Sequence, residues 1–143
     1  MRLAGHGISV DVPRGWEARI YRRPEGLPIL HTATFPLPQH DGDFGSGAIA
    51  SMKPGDVFCA LLEYDRDLAG TGLFAPPGLP LPVRAADASP AALQRMLPGR
   101  VGLQRFFTHA GRPFCLYVVV RPAKGGSIDV ANEVLATVTI DPR

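Results

Sequence analysis

Residues 106–140 read FFTHAGRPFCLYVVVRPAKGGSIDVANEVLATVTI, and within them residues 114–120 form the most continuously apolar strand-length run of the chain. An apolar run of this length bounded by turn signals reads as a strand covered on both faces. Ala110, Gly111 and Arg112 supply a tight turn before it, so residues 100–109 should run back beside it as an antiparallel partner. A connection this short cannot make a parallel crossover. Beyond the run, Ile128, Ala131, Val134 and Leu135 recur at helical spacing, with Ser127 as cap and Asp129 near the positive end of the helix dipole. That helix is the natural cover for one face of the strand, and residues 137–140 alternate as a returning last strand.

Outward from there, residues 57–64 lack alternation and read as a second central strand. At the start, residues 7–12 alternate, Pro13 and Gly15 turn the chain, and residues 16–23 alternate again. This predicts a hairpin with one wet side carrying Glu17, Arg19, Tyr21 and Arg23. A third strand is expected over 29–35 and one helical turn over 48–52. Ser89 followed by Pro90, an apolar set of Leu93, Met96 and Leu97, and a stop at Pro98 and Gly99 predict a short helix. Residues 39–47 and 69–82 are Gly- and Pro-rich loops, the second holding four of the fifteen prolines and pinned onto the core by its leucines and Phe74. The expected fold is a single α+β domain over 1–143, an antiparallel sheet of about six to seven strands flanked by helices.

A chain of 143 residues suits one domain, since at about 150 residues roughly 68–70% of the unfolded surface is buried without help from a disulfide or metal. Its 45% apolar and 20% charged residues exclude a disordered chain. A formal charge of +2 is too small to point to nucleic acid or an anionic membrane. No apolar targeting core opens the sequence, and no run reaches the roughly 18 apolar residues needed to cross a bilayer. A cytoplasmic location without membrane contact is therefore expected. Cys59 and Cys115 lie inside strands and outside any C-x-x-C, and read as buried free thiols.

Chemistry-bearing motifs are sparse. His6, His31, His40 and His109 match no zinc spacing. Residues 41–45 begin like a calcium loop but lack its third acid, its sixth-position glycine and its closing Glu. No metal or cofactor is expected. Residues 42–47 precede a short helix, where amides attract anions, which makes His40, Asp41, Asp43 and Ser46 ligand-loop candidates. There is no Gly-Lys-Ser/Thr and no G-x-S-x-G, so no catalytic residue is assigned. The other candidate is a surface: Arg19, Tyr21 and Arg23 on one face of the second strand, Arg105 and Phe107 on one face of the 100–109 strand. Arg and aromatic residues are enriched at protein interfaces. Such a face can also stack single-stranded nucleic acid, a reading the small net charge disfavours.

Ile8, Val10 and Val12 leading into Pro13, Gly15 and Trp16, with Gly111, Arg112, Tyr117, Val134, Leu135 and Val138 at the other end, form a pattern that resembles Mog1/PsbP-like domains. The likeness spans most of the chain, which also looks like short actinobacterial proteins. The resemblance implies an antiparallel sheet flanked by helices in a protein that docks on larger assemblies rather than catalysing. The sequence departs from the photosynthetic members in lacking a targeting segment and a metal-binding His pair. The function expected is a non-enzymatic protein-binding or accessory module, its partner a second protein or a copy of itself. The alternative is a small-molecule or anion-binding enzyme with a site between the 39–47 loop, the 69–82 loop and the sheet. A perturbed His31 or His109 in a pocket would favour that alternative.

Overall fold

The computed structural model of the chain describes residues 1–123 and 127–143. It shows an α+β fold with two antiparallel sheets rather than one. The larger takes β3 (Glu17–Arg22), β4 (Pro28–Ala33), β5 (Val57–Glu63), β6 (Val101–His109) and β7 (Arg112–Val120) in the order β3-β4-β5-β7-β6. The smaller takes β1 (Arg2–Gly5), β2 (Ile8–Asp11) and β8 (Thr139–Ile140) in the order β1-β2-β8. Two α-helices, α1 (Ser46–Ala50) and α2 (Ser127–Leu135), and four short 3₁₀ turns complete the described elements. Part of the loop expected over 122–126 falls on residues outside the description, and Ser127, expected as the cap of α2, is its first residue.

The two apolar runs behave as their composition requires. Every residue of β5 and of β7 is buried, and they pair directly, Leu61 opposite Leu116. A central strand meets packing on both faces, so it has no polar side to alternate. One face carries Leu30, Cys59, Leu61, Leu116 and Val118 against Ile128, Ala131, Val134 and Leu135 of α2 and Ile8, Val10 and Ile140 of the small sheet. The other carries Ile29, Phe58, Ala60, Leu62, Tyr117 and Val119 beneath Phe35, Ala48, Ile49 and Met52 of the α1 segment and Leu93. Burial raises both cysteine thiols to about 12, which keeps Cys59 and Cys115 unreactive. The β6–β7 hairpin forms as expected, with Ala110 and Gly111 both at positive φ in its two-residue turn.

Three expectations are corrected. The strands flanking Pro13 and Gly15 do not form a hairpin. β2 pairs with β1, Leu3 opposite Val10, through a tight turn in which His6 and Gly7 both have positive φ. The 13–16 corner instead carries the chain from the small sheet to the large one, and the Trp16 amide donates to the Pro13 carbonyl at 3.0 Å. The helix expected over 89–97 stops after one 3₁₀ turn, Pro90–Ala92. Its start signals are intact: the Ser89 side chain accepts from the Ala91 amide. Tertiary bonds then take the groups a helix would use. Ser89 pairs with Gly102, Ala92 O accepts from Gln104, and the Gln94 amide donates to the Tyr117 hydroxyl at 2.9 Å. Met96 is left 70% exposed. A two-turn helix is marginal by itself, so a few such bonds decide against it. The third correction is the sheet count, eight strands in two sheets where about six to seven in one were expected.

The sheets are joined at one end by a buried arginine of the larger sheet, which is ion-paired within that sheet and bonded to carbonyls of the smaller one. Arg112, 2% exposed, donates to Glu63 Oε1 through Nε at 3.2 Å and Nη2 at 2.6 Å. It also donates through Nη2 to His6 O and through Nη1 to Gly7 O and Asp141 O. All five guanidinium N–H groups are thereby used, tying the β1–β2 turn and the segment after β8 to the end of β5. Gly7 is required here twice over: its φ is +76°, and a Cβ would lie 2.5 Å from Arg112 Nη1.

Candidate functional site

β3 is an edge strand, and its alternation puts Arg19 and Tyr21 on the face away from α2. The register sets Arg19 directly opposite His31 and Tyr21 opposite Ile29. Residues 36–45 arch over this part of the sheet and leave a cleft of about 290 Å³ between themselves and β3–β4. Arg19, Tyr21, Arg23 and His31 form its floor and wall, and Gln39, His40 and Asp41 its rim.

Each basic side chain is tied to the arch on one side. Arg19 Nη1 donates to Pro38 O at 2.8 Å and Gln39 O at 3.5 Å, while Nε and Nη2 make no hydrogen bond among the described residues. Arg23 Nε donates to Asp43 Oδ1 at 2.5 Å and Nη2 to Asp41 O at 2.6 Å. Its guanidinium carbon lies 5.6 Å from the Tyr21 ring centre, within cation–π range. Burial raises the Tyr21 phenol pKa, with the Asp43 carboxylate adding to it and Arg23 opposing.

His31 is 2% exposed, with the Tyr21 and Phe58 rings set edge-on to it at 5.5 and 5.1 Å. Its Nε2 lies 2.7 Å from Asp43 O. A carbonyl only accepts, so Nε2 carries the hydrogen, a tautomer assigned from the partner. Burial pulls the His31 pKa below the usual 6.5, against the opposing pull of the Asp43 carbonyl and the Asp41 carboxylate. The ring is therefore neutral at pH 7. Nδ1 makes no hydrogen bond, yet no fully buried side-chain nitrogen or oxygen among the described residues lacks a partner. Nδ1 is therefore not fully sealed, and His31 is one of the residues that line the cleft.

The residues singled out from sequence divide. Arg19, Tyr21 and Arg23, named as an interface, and His40 and Asp41, named as a ligand loop, line one cleft. Asp43 braces it through Arg23 and His31. Asp41 is occupied: Oδ1 accepts from the Gly42 and Gly47 amides and Oδ2 from the Ala48 amide, so the chain's own carboxylate fills the start of α1. Ser46 is exposed and sits outside the cleft, beside Phe44 in a narrow apolar crevice. Arg105 and Phe107 lie on the opposite sheet face, at the opposite edge, opposite Leu116 and Phe114. Phe107 is 0% exposed, and Arg105 pairs with Asp87 at 2.9 Å, so these two do not extend the Arg19–Tyr21 surface.

The site expected between the 39–47 and 69–82 loops does not form at this cleft. The second loop is bonded to β6 at the far edge, Gly70 and Gly78 amides donating to Thr108. Gln39 and His31 line the cleft without being among the interface or ligand-loop candidates, and the sequence singles out His31 only as a residue whose perturbation in a pocket would favour the enzyme alternative. The signal for His31 was present, since the short 23–27 connection sets the register that faces it with Arg19. Among the described residues no group of three or more His, Cys, Asp or Glu is placed to hold a metal ion. No helix among them is long and apolar enough to cross a membrane. No protein-family model, curated protein or solved structure matches the chain.

Proposed function

We propose that the chain is a non-enzymatic binding module that holds an anionic group of its partner in the cleft between β3–β4 and the 36–45 arch. One observation carries this reading: Arg19 lines the cleft and is bonded through Nη1 alone, its Nε and Nη2 making no hydrogen bond among the described residues. A guanidinium held by one nitrogen and left half-bonded is partly preorganised for an anion, because some of its side-chain entropy is already lost. The Mog1/PsbP-like resemblance belongs to the same proposal, supported by the buried β5–β7 pair, the covering α2 and the Pro13–Trp16 corner. So do a protein partner or second copy of the chain, and a cytoplasmic location.

The test is titration of acetate and inorganic phosphate into the protein at low salt, followed by NMR of the His31 ring and the Arg19 side chain. Saturable shifts at both residues, abolished in Arg19→Gln, are expected. Linear, unsaturating shifts equal in wild type and variant would overturn the reading. A second reading, an enzyme using the same cleft, is favoured by one feature: a neutral imidazole with an accessible Nδ1 opposite an arginine can take a proton from a bound substrate.

A further inference from the structure

Resting on the reading of the cleft as an anion site, the donor and acceptor pattern narrows the ligand. Pro38 and Gln39 carbonyls occupy Nη1 of Arg19, which leaves Nε and Nη2 side by side. Two parallel N–H groups match the two oxygens of a planar carboxylate. The acceptors near them are mostly taken: both oxygens of Asp41 are bonded to amides, and the Asp43 carbonyl is engaged by His31. His31 remains, its Cα paired with that of Arg19 across the two strands and its Nδ1 without a hydrogen bond among the described residues, and cross-strand neighbours have Cβ atoms about 4.5–5.5 Å apart.

We propose that the cleft binds a carboxylate whose neighbouring carbon bears an O–H or N–H donor, the carboxylate on the Arg19 edge and the donor on His31 Nδ1. A 2-hydroxy acid has this pattern, and so does an acylamino acid, whether free or as the last residue of a peptide chain. A volume of about 290 Å³ lies just under the roughly 300–1,000 Å³ of sites for drug-sized ligands, which suits a single residue-sized group. Tyr21 supplies an aromatic wall, and Arg23 neutralises the Asp43 carboxylate to which it is bonded.

The experiment is a set of calorimetric titrations at pH 7.5 with hydroxyacetate, acetate, N-acetylglycine, a pentapeptide with a free C-terminal carboxylate, and its C-terminal amide. Hydroxyacetate and N-acetylglycine should bind about tenfold tighter than acetate, the usual effect of one satisfied hydrogen bond to a buried acceptor. Equal affinities for hydroxyacetate and acetate would overturn this inference and leave the anion cleft standing, whereas failure of every carboxylate would overturn both. A pentapeptide that matches N-acetylglycine identifies a chain end as a source; one that is excluded identifies the free acid. Binding of the amide as tight as that of the free peptide would overturn the inference.

Because His31→Phe is a change in a packed position, the pH profile gives a check without a variant. The charged and titratable groups around the ring are Arg19 and Tyr21 on β3 and His40, Asp41 and Asp43 on the arch, with apolar Phe58 behind. Once the imidazole is protonated, Nδ1 becomes a donor. The preference for N-acetylglycine, whose amide N–H can only donate, should then vanish while acetate binding persists. A preference unchanged through that titration would overturn the role given to His31.

Discussion

Two arginines on the same sheet show how a side chain of one type is used in two ways. Arg112, at the end of β7, has every N–H bonded, to Glu63 and to three backbone carbonyls, and is sealed from solvent. Arg19, on the edge strand, is held by a single nitrogen and lines a cleft. The first has nothing left to offer a ligand, and the second has most of its donors free. Charge alone does not separate them. The number of N–H groups already satisfied does, because an arginine recognises only with the donors its own fold leaves over.

The strongest way to break this contrast is Arg112→Ala. Removing one partner of a buried ion pair leaves the other uncompensated, which costs about 3–5 kcal/mol. Glu63 keeps only the half-exposed Arg143. Urea unfolding should show a loss of that size, and a midpoint that barely moves would mean that Arg112 does not join the two sheets. Gly7→Ala should follow at about 1–3 kcal/mol, from positive φ and the encroachment on Arg112 Nη1. The two changes disrupt one contact, so the double variant should lose clearly less than the sum of the singles. Strict additivity would separate the glycine from the arginine.

How each arginine is used was only partly legible. Residues 57–64 and 114–120 read correctly as buried neighbours because an unbroken apolar run of strand length has no face to turn to water, and the Ala110–Gly111 turn fixed the partner of the second. The stripe of α2 was equally plain. The small sheet was not, since β1 has no apolar alternation of its own and the Pro13–Gly15 turn looks the same whether it joins two paired strands or carries the chain between sheets. Ser89 and Pro90 announced a helix that Gly102, Gln104 and Tyr117 prevent from continuing. Arg19 and Arg105 looked alike because strand parity gives a face within one strand, and only the register across five strands shows that their faces are opposite. The cleft itself is roofed through the carbonyls of Pro38, Gln39, Asp41 and Asp43. Backbone acceptors are present at every position, so no residue type betrays them.

A smaller effect sharpens the contrast from the cleft side. The folded state holds His31 neutral with a pKa below its usual value, so the unfolded chain takes up the proton first as pH falls. Stability from this group is full above the unfolded value of about 6.5 and is lost as pH drops below it toward the folded value, by at most about 1.4 kcal/mol per pH unit. Wild type should therefore lose stability relative to His31→Gln between pH 7 and 5. A constant difference across that range would place the ring in ordinary solvent.

The smallest expected effect on stability belongs to Arg19→Gln, and its smallness is what tests the comparison. The variant removes a guanidinium bonded only to two carbonyls that the rim of the cleft leaves near water, and surface changes of this kind stay within about 0.5 kcal/mol. If Arg19 were a brace like Arg112, the arch would loosen, and amide exchange over residues 36–45 would rise along with a fall in the urea midpoint. If it is the free hand of the cleft, urea unfolding and amide exchange stay as they were, while the acetate response at His31 disappears. Arg19→Lys then separates charge from shape: a lysine keeps the positive charge but cannot present two parallel N–H groups, so it should retain weak acetate binding and lose at least about tenfold in affinity.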